Sequence, residues 1–297
     1  MKISILIAIY NRLEVTKKGL FVLFEALDRY RSPGQGQCQF EVVVVDDGST
    51  DGSSEWIAQN FPQVHLLSGD GNLWWSGATN MAAKYSVEKL NADYLLLWND
   101  DIAPAADYFQ KVEKLFALPS ATGAVIGSRI LSAATGVTWS VGGYFSKWGG
   151  YGMYNETLSN PLGKGPDNFF DCDWQPGMGT FVPASIIRLH QLYWDERHFP
   201  QYHGDSDYTL RCKELGFPVR TCLDLVIYNE SNNIIKPGKK NGWKVLVNSL
   251  VSMRSNYNFR KRWIFYRRHG SFPFAFWGLG KTYFFYIGAS LKQAYLK

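Results

Sequence analysis

Four apolar runs, each closed by a polar loop and followed by a helix-like segment, constrain this chain more than any other feature. ISILIAIY leads into NR and VTKKGLFVLFEALDRY; FEVVVV leads into DDGSTDGS and SSEWIAQNF; VHLLS leads into GDGNLWWSG and ATNMAAKYSVEKL; YLLLW leads into NDD and DYFQKVEKLFAL. Continuous Val, Ile and Leu runs are buried on both faces, and strands alternating with helices build a parallel sheet with right-handed crossovers. The pattern predicts a doubly wound α/β fold. Ligands of such sheets bind beyond the carboxyl ends of the strands, so the four polar loops should line one cleft. Lys2 to Tyr10 reads as the first buried strand. It lacks the small-residue cleavage site of a secretory leader and turns polar at Asn11 and Arg12.

With 297 residues and 46% hydrophobic content, the chain can bury a full core as one large domain, or one domain plus an appendage. Cys38, Cys172, Cys212 and Cys222 are widely spaced, with no C-x-x-C pair, which argues against zinc ligation and a disulfide framework and fits a reducing compartment. The net charge of +5 hides an asymmetry. Of the 31 Lys and Arg, 13 lie between Lys236 and Lys297, where no Asp or Glu occurs; the preceding residues keep 18 basic against 26 acidic side chains. An acidic body therefore precedes a basic tail. That tail also carries 15 aromatics, interleaved with Lys and Arg as in FRKRWIFYRRHG, a mixture suited to an anionic membrane surface. The alternative is a helical tail that packs its rings on the body. A spanning helix over 271–291 is opposed by Lys281 at its middle, and nothing upstream resembles a nucleic-acid reading module. Residues 136–180, rich in Gly, Trp, Tyr and Asn, read as hairpins or long loops facing substrate. The boundaries expected are a body over 1–230, divided near residue 101, and a tail over 231–297 whose first part, NGWKVLVNSLVSMRSNYNF, looks helical.

Turn chemistry explains Gly48 to Ser54 without any ligand, with Asp51 or Ser53 capping the next helix. It leaves Asp46 and Asp47 unexplained. Carboxylates at the end of a four-valine strand are expensive to bury alone, so a partner is implied. An EF-hand fails because its twelfth position is Ala58 and no helix precedes it. GLGKT at 278–282 is not a phosphate loop, since the required earlier glycine is Ala275, and no G-x-G-x-x-G follows a strand. Asp100 and Asp101 on a short loop suit a hard divalent cation, Mg or Mn, that bridges carboxylate to substrate phosphates. The alternative is that Asp101 caps a helix starting near Ala105 while Asp100 is solvated.

In order, IAIYNR, VVVVDDGSTDGS, GNLWWSGATN, LLLWNDD, QPGMGTFV and HGDSDYTLRCKELGF resemble the motif succession of the family 2 glycosyltransferases, inverting nucleotide-sugar enzymes with the GT-A fold. The resemblance covers residues 1 to about 230. It implies that Tyr10, Asn11 and Arg12 sit beside the nucleotide, that Asp46 accepts a hydrogen bond from a pyrimidine NH, and that Asp47 is the neighbouring acid. Asn72 and the run from Gly77 to Asn80 would border base and ribose. Asp101 matches the last acid of the D-x-D metal motif, Asn99 stands where the first acid often is, and Asp100 occupies the variable middle place.

Inversion requires a carboxylate to take the proton of the attacking hydroxyl. Gly204-Asp205 replaces the family's usual Glu-Asp pair, so Asp205 matches the expected base. Asp207 and Arg211 lie at the four-residue spacing of an internal ion pair. WQPGMGT resembles the acceptor loop: Trp174 would stack on a pyranose face, with Gly177, Met178 and Gly179 close to the sugar, although a plain hairpin would use the same glycines. Trp74 and Trp75 fit core packing as well as ligand contact. Relatives often place a metal-ligating histidine where this chain has Asn229, so the cation has fewer protein ligands or His203 helps instead.

The expected function is therefore inverting transfer of a sugar from a UDP- or dTDP-activated donor to a growing glycan, lipid-linked in the favoured reading, at the cytoplasmic membrane face; a rhamnosyl donor is a family-level expectation only. A nucleotidyltransferase would need a Gly-rich basic loop near its first strand, which IYNRLEV is not. A non-catalytic glycan-binding protein would need neither Asp205 nor a metal, and a glycoside hydrolase would use two carboxylates without a diphosphate-type metal loop.

Overall fold

The computed structural model describes residues 1–31, 36–146, 150–154, 168–230 and 242–295. Parts of the stretches read above as middle loops and as the start of the tail, residues 147–149, 155–167 and 231–241, lie outside the described residues. The chain runs β1 (Lys2–Ile9), α1 (Leu13–Arg31), β2 (Gln39–Asp46), α2 (Ser53–Asn60), β3 (His65–Ser68), α3 (Trp74–Glu88) and β4 (Tyr94–Trp98). It continues with β5 (Ile102–Pro104), α4 (Tyr108–Phe116), β6 (Val125–Ser132), β7 (Thr138–Ser140), β8 (Gly143–Phe145), β9 (Tyr151–Met153), β10 (Phe169–Asp171) and β11 (Thr180–Pro183). Last come α5 (Ala184–His190), α6 (Gly204–Glu214), β12 (Val219–Asn229), α7 (Gly242–Val251), α8 (Phe259–His269) and α9 (Phe274–Tyr295).

The main sheet has the order β10-β12-β6-β11-β4-β1-β2-β3. The β4-β1-β2-β3 half is parallel, as the apolar runs predict, and β12 lies parallel to β6. Between these two parallel groups β11 is inserted antiparallel to both β4 and β6. The result is a mixed, mostly parallel sheet with helices on both faces.

Successive residues of each buried strand point to opposite faces, and two cores follow. One holds Ile3, Ile5, Ile7, Val42, Val44 and Leu96 against α1 and α4, while the other holds Leu6, Val43, Val45, Leu95 and Leu97 against α3, α5 and α6. A third cluster joins Trp174, Phe199 and Leu210 of the body to Phe265, Tyr266, Ala275, Leu279 and Tyr283 of α8 and α9. The inner face of the tail is thus packed on the body, the alternative weighed above.

Two local expectations change. Trp74 to Gly77 are not loop: they form the first turn of α3. Asp101 does not cap α4, which starts at Tyr108; its carboxylate instead faces Arg12. Helix α1 crosses close to the end of β4, and Gly19 makes that approach feasible, because a Cβ there would lie 2.1 Å from the Asp100 carbonyl oxygen. Gly19→Ala is expected to push α1 from this edge and lower stability by about 1–3 kcal/mol, the usual range for overpacking. An unchanged denaturant midpoint would contradict that packing.

Candidate functional site

The loops after β1 and β2 are tied together by their own side chains. Asn11, in the left-handed region at φ 49°, donates its N–H to the Ser49 hydroxyl at 2.8 Å, and its Oδ1 accepts the Thr50 N–H at 2.8 Å. Tyr10 beside it is exposed. The buried acids at the end of β2 find their implied partners inside the protein. Asp46 accepts the Ser49 N–H at 2.9 Å and the Ser54 hydroxyl. Asp47 accepts three backbone N–H groups, from Gly71, Leu73 and Trp74, at 2.9, 3.2 and 2.9 Å. Those donors open α3, so Asp47 caps that helix across the chain. Its side chain is committed to the scaffold.

Beyond β4, Arg12 bridges both acids of the NDD loop: Nη1 lies 3.1 Å from Asp100 Oδ1 and Nη2 3.0 Å from Asp101 Oδ2. Asp100 is almost completely buried and its other oxygen accepts the Thr16 hydroxyl at 2.9 Å. Burial pushes its carboxyl up to about 6, opposed by the Arg12 charge and reinforced by Asp101. Asp101 is more exposed and keeps Oδ1 outside the arginine pair. Asn99 is half-buried at the mouth of this loop. Asn229 ends β12 in register with Ile102, and the next N–H, of Glu230, donates to the Asp101 carbonyl at 3.2 Å. The position read as a departure from the family's histidine therefore does lie beside Asp101.

Among the described residues no group of three or more His, Cys, Asp or Glu gathers as a ready cage for a metal. The one carboxylate oxygen that Asp101 keeps outside its arginine pair would suit only a hard cation that takes most of its ligands from elsewhere.

The WQPGMGT loop reaches the same sheet edge through β11. Gly179, at φ 64°, donates its N–H to the Leu97 carbonyl at 2.8 Å, and a Cβ there would strike Ile227 and Ser128. Two residues earlier, the Gly177 N–H donates to Asp205 Oδ2 at 2.9 Å. Asp205 Oδ1 accepts the Ser206 N–H at 2.8 Å. Burial raises the Asp205 carboxyl above its ordinary value, against these hydrogen bonds. Met178, between the glycines, packs partly on the core.

Other residues expected to face ligand are structural. Trp174 is buried, stacks on Tyr151 with centroids 5.4 Å apart, and donates its indole N–H to the Tyr144 carbonyl, so no face remains for a pyranose. Trp75 supports the loop from beneath, where a Cβ on Gly177 would lie 2.4 Å from its ring. Asn80 braces residues 194–196, donating to the Trp194 carbonyl and Glu196 and accepting the Trp194 N–H. Gly77 is buried in the same contact, while Asn72 is exposed. His203 is buried, with Nε2 3.2 Å from the Asn256 carbonyl; burial, with the nearby Arg262 charge, holds its imidazole down to about 3. It sits against the tail.

Sequence reasoning missed Thr16, Ser54 and Tyr151, common residue types whose partners lie far along the chain. It also missed the pairing of Asp207, which accepts Arg211 Nε at 2.8 Å, as the spacing predicts, but also Arg268 and His269 of the tail.

Comparison with known proteins agrees with this architecture. The hexosyltransferase Agl10 of low-salt glycan biosynthesis in Haloferax volcanii is 29% identical over 93 residues, 31% of this chain and 29% of that protein; the match spans less than a third of that curated relative. The crystal structure of S. aureus TarS 1-349 superposes with a TM-score of 0.51 at 15% identity, covering 88% of this chain and 69% of that one. Its complex with UDP-GlcNAc matches with the same score and identity, over 88% of this chain and 70% of that one. At such identity the likeness is one of fold. The model of the family described as glycosyl transferase family 2 matches residues 4–173, more than half of the 297 residues. The chain belongs to glycosyl transferase family 2.

Proposed function

We propose that the protein is an inverting glycosyltransferase that moves a sugar from a UDP- or dTDP-sugar to a glycan or lipid-linked saccharide hydroxyl. One observation carries the reading: Asp101 and Asp205 both stand at the carboxyl end of β4, the first three residues beyond the strand, the second through Gly177 on the loop that enters β11. Two kinds of group that the reaction needs, an anionic ligand for a cation and a carboxylate proton acceptor, are thereby both tied to the carboxyl end of one strand. The UDP and UDP-GlcNAc complexes of TarS support a nucleotide-sugar donor, and the name of Agl10 supports a role in glycan biosynthesis.

In this reading the acceptor oxygen attacks the anomeric carbon from the face opposite the diphosphate. The carbon–oxygen bond to the diphosphate breaks, its electron pair stays with the leaving group, and Asp205 takes the hydroxyl proton. A raised carboxyl suits that task, because a base works best with its pKa closer to the working pH. Arg12, paired through both Nη atoms with Asp100 and Asp101, would have to turn from at least one of these acids to meet diphosphate oxygens. A divalent cation, Mg or Mn, held by Asp101 would neutralise charge on the leaving diphosphate. In the same reading Tyr10, Asn11 and Asn99 would border the nucleotide, whereas Asp46, buried and bonded to Ser49 and Ser54, would have to give up a partner to meet the base.

The outward face of the tail fits an anionic lipid surface at which a lipid-linked acceptor would be met. Helix α9 turns Ala275, Leu279 and Tyr283 inward, yet leaves Phe274, Trp277, Phe284 and Phe285 exposed, 74% for Trp277 and 75% for Phe284. Lys281 lies among them, and Arg260 and Arg267 are exposed on α8. No helix among the described residues is long and apolar enough to cross a membrane, so the contact would lie in the interface plane.

Asp205→Asn is expected to lower turnover by about 10²–10⁴-fold, the range a positioned base supplies, with nucleotide diphosphate affinity kept; normal turnover would remove Asp205 from the role. Asp101→Ala should abolish the gain in UDP or dTDP affinity that Mn gives in calorimetry, and an unchanged gain would count against the cation site. In flotation assays the chain should follow phosphatidylglycerol vesicles and not pure phosphatidylcholine. Trp277→Ser with Phe284→Ser should weaken that binding about tenfold or more, since burying a Phe-sized side chain contributes ~1.5–3 kcal/mol; binding indifferent to both charge and substitution would refute the lipid surface.

A further inference from the structure

Helix α6 carries Asp205 on one side of its first turn and Asp207 on another, because residues two apart on a helix do not face the same way. Asp205 looks toward Gly177, whereas Asp207 is fully buried against the tail. Its Oδ2 takes Arg211 Nε, but among the described residues its Oδ1 is served only by the tail, by Arg268 Nη1 at 2.7 Å and His269 Nε2 at 3.0 Å. With α8 in place but without these two side chains, that oxygen would be left short of donors in a buried setting, an arrangement proteins avoid.

The same two tail residues reach further. Arg268 Nη2 lies 2.6 Å from Asp195, on the segment that leads to α6, and His269 Nδ1 lies 3.1 Å from Glu214, the last residue of α6. At the start of α6, His203 meets the Asn256 carbonyl. The tail therefore grips α6 at its entry, at the back of its first turn and at its end. Three donors around one carboxylate, with the Arg211 and Arg268 charges, hold Asp207 below its ordinary carboxyl value despite burial.

We propose that Arg268 and His269 are positioning residues that fix the first turn of α6 through Asp207 and so aim Asp205 at the acceptor, which makes the C-terminal unit a working part of the catalytic site. The proposal rests on the reading of Asp205 as the base.

The test uses the full chain carrying Arg268→Ala with His269→Ala and, as a less disruptive second variant, Asp207→Asn. Hydrogen exchange by mass spectrometry is read on peptides covering 174–180 and 203–209, which hold the Gly177 and Ser206 amides bonded to Asp205, with peptides of β1 and α1 as internal reference. Exchange at the first pair should quicken about tenfold or more, as for a locally loosened unit, while β1 and α1 and the affinity for UDP with Mn stay unchanged. Turnover should fall in kcat, and Arg268→Lys, which keeps charge but not the fork onto Asp195, should recover part of both effects. Unchanged exchange at 174–180 and 203–209 in both variants would overturn the proposal, as would quickening spread equally over β1 and α1. If Asp205→Asn turned over normally while exchange responded as expected, the base assignment would fail and the clamp itself would stand.

Discussion

The antiparallel insertion of β11 beside β4 is the constraint on which the rest of the site depends. A sheet made only of the β-α-β units at the start of the chain would present its polar loops at one edge with nothing facing them. The Gly179 N–H bonded to the Leu97 carbonyl brings an incoming loop to that edge from the other direction. Main-chain pairing of this kind has a fixed register, so the loop ends where the NDD acids begin. Gly179 is needed there because its backbone is left-handed and the space beside it is filled by Ile227 and Ser128. Gly177 then passes the position on to Asp205 through one hydrogen bond.

Around this edge the protein buries several acids and solves each differently. Asp47 is satisfied by the opening N–H groups of a helix, Asp46 by a serine hydroxyl and a backbone N–H, Asp100 by Arg12 and Thr16, and Asp207 by Arg211, Arg268 and His269. A buried carboxylate is tolerable only with such partners. Asp101 and Asp205 differ: the first keeps an oxygen beyond its arginine, and the second has, among the described residues, backbone donors alone and a carboxyl raised by burial. They are the acids with chemical capacity to spare.

How legible this was in the sequence depended on range. The β4-β1-β2-β3 half could be read directly, because unbroken Val, Ile and Leu runs followed by amphipathic segments leave few other ways to fold. The strand β11 could not, since TFVP is short and its neighbours in the sheet are supplied by segments far away in sequence. DDGS signals that two acids need partners but not whether the partner is a ligand or a helix end; Gly71 and Trp74 decide that for Asp47. The same ambiguity misassigned Trp174 and His203, whose types suit sugar stacking and metal ligation yet whose surroundings, Tyr151 and Asn256, are visible only in three dimensions. The i, i+4 pair of Asp207 and Arg211 was legible because it is local, and its extension to the tail was not.

The most direct measurement is a crystal structure of the chain grown with UDP and Mn. The account predicts the diphosphate against Arg12, a Mn anomalous peak beside Asp101, and Asp205 across the cleft from the terminal phosphate. A nucleotide seated away from the carboxyl end of β4, or a metal held by other residues with Asp101 still closed on Arg12, would contradict it.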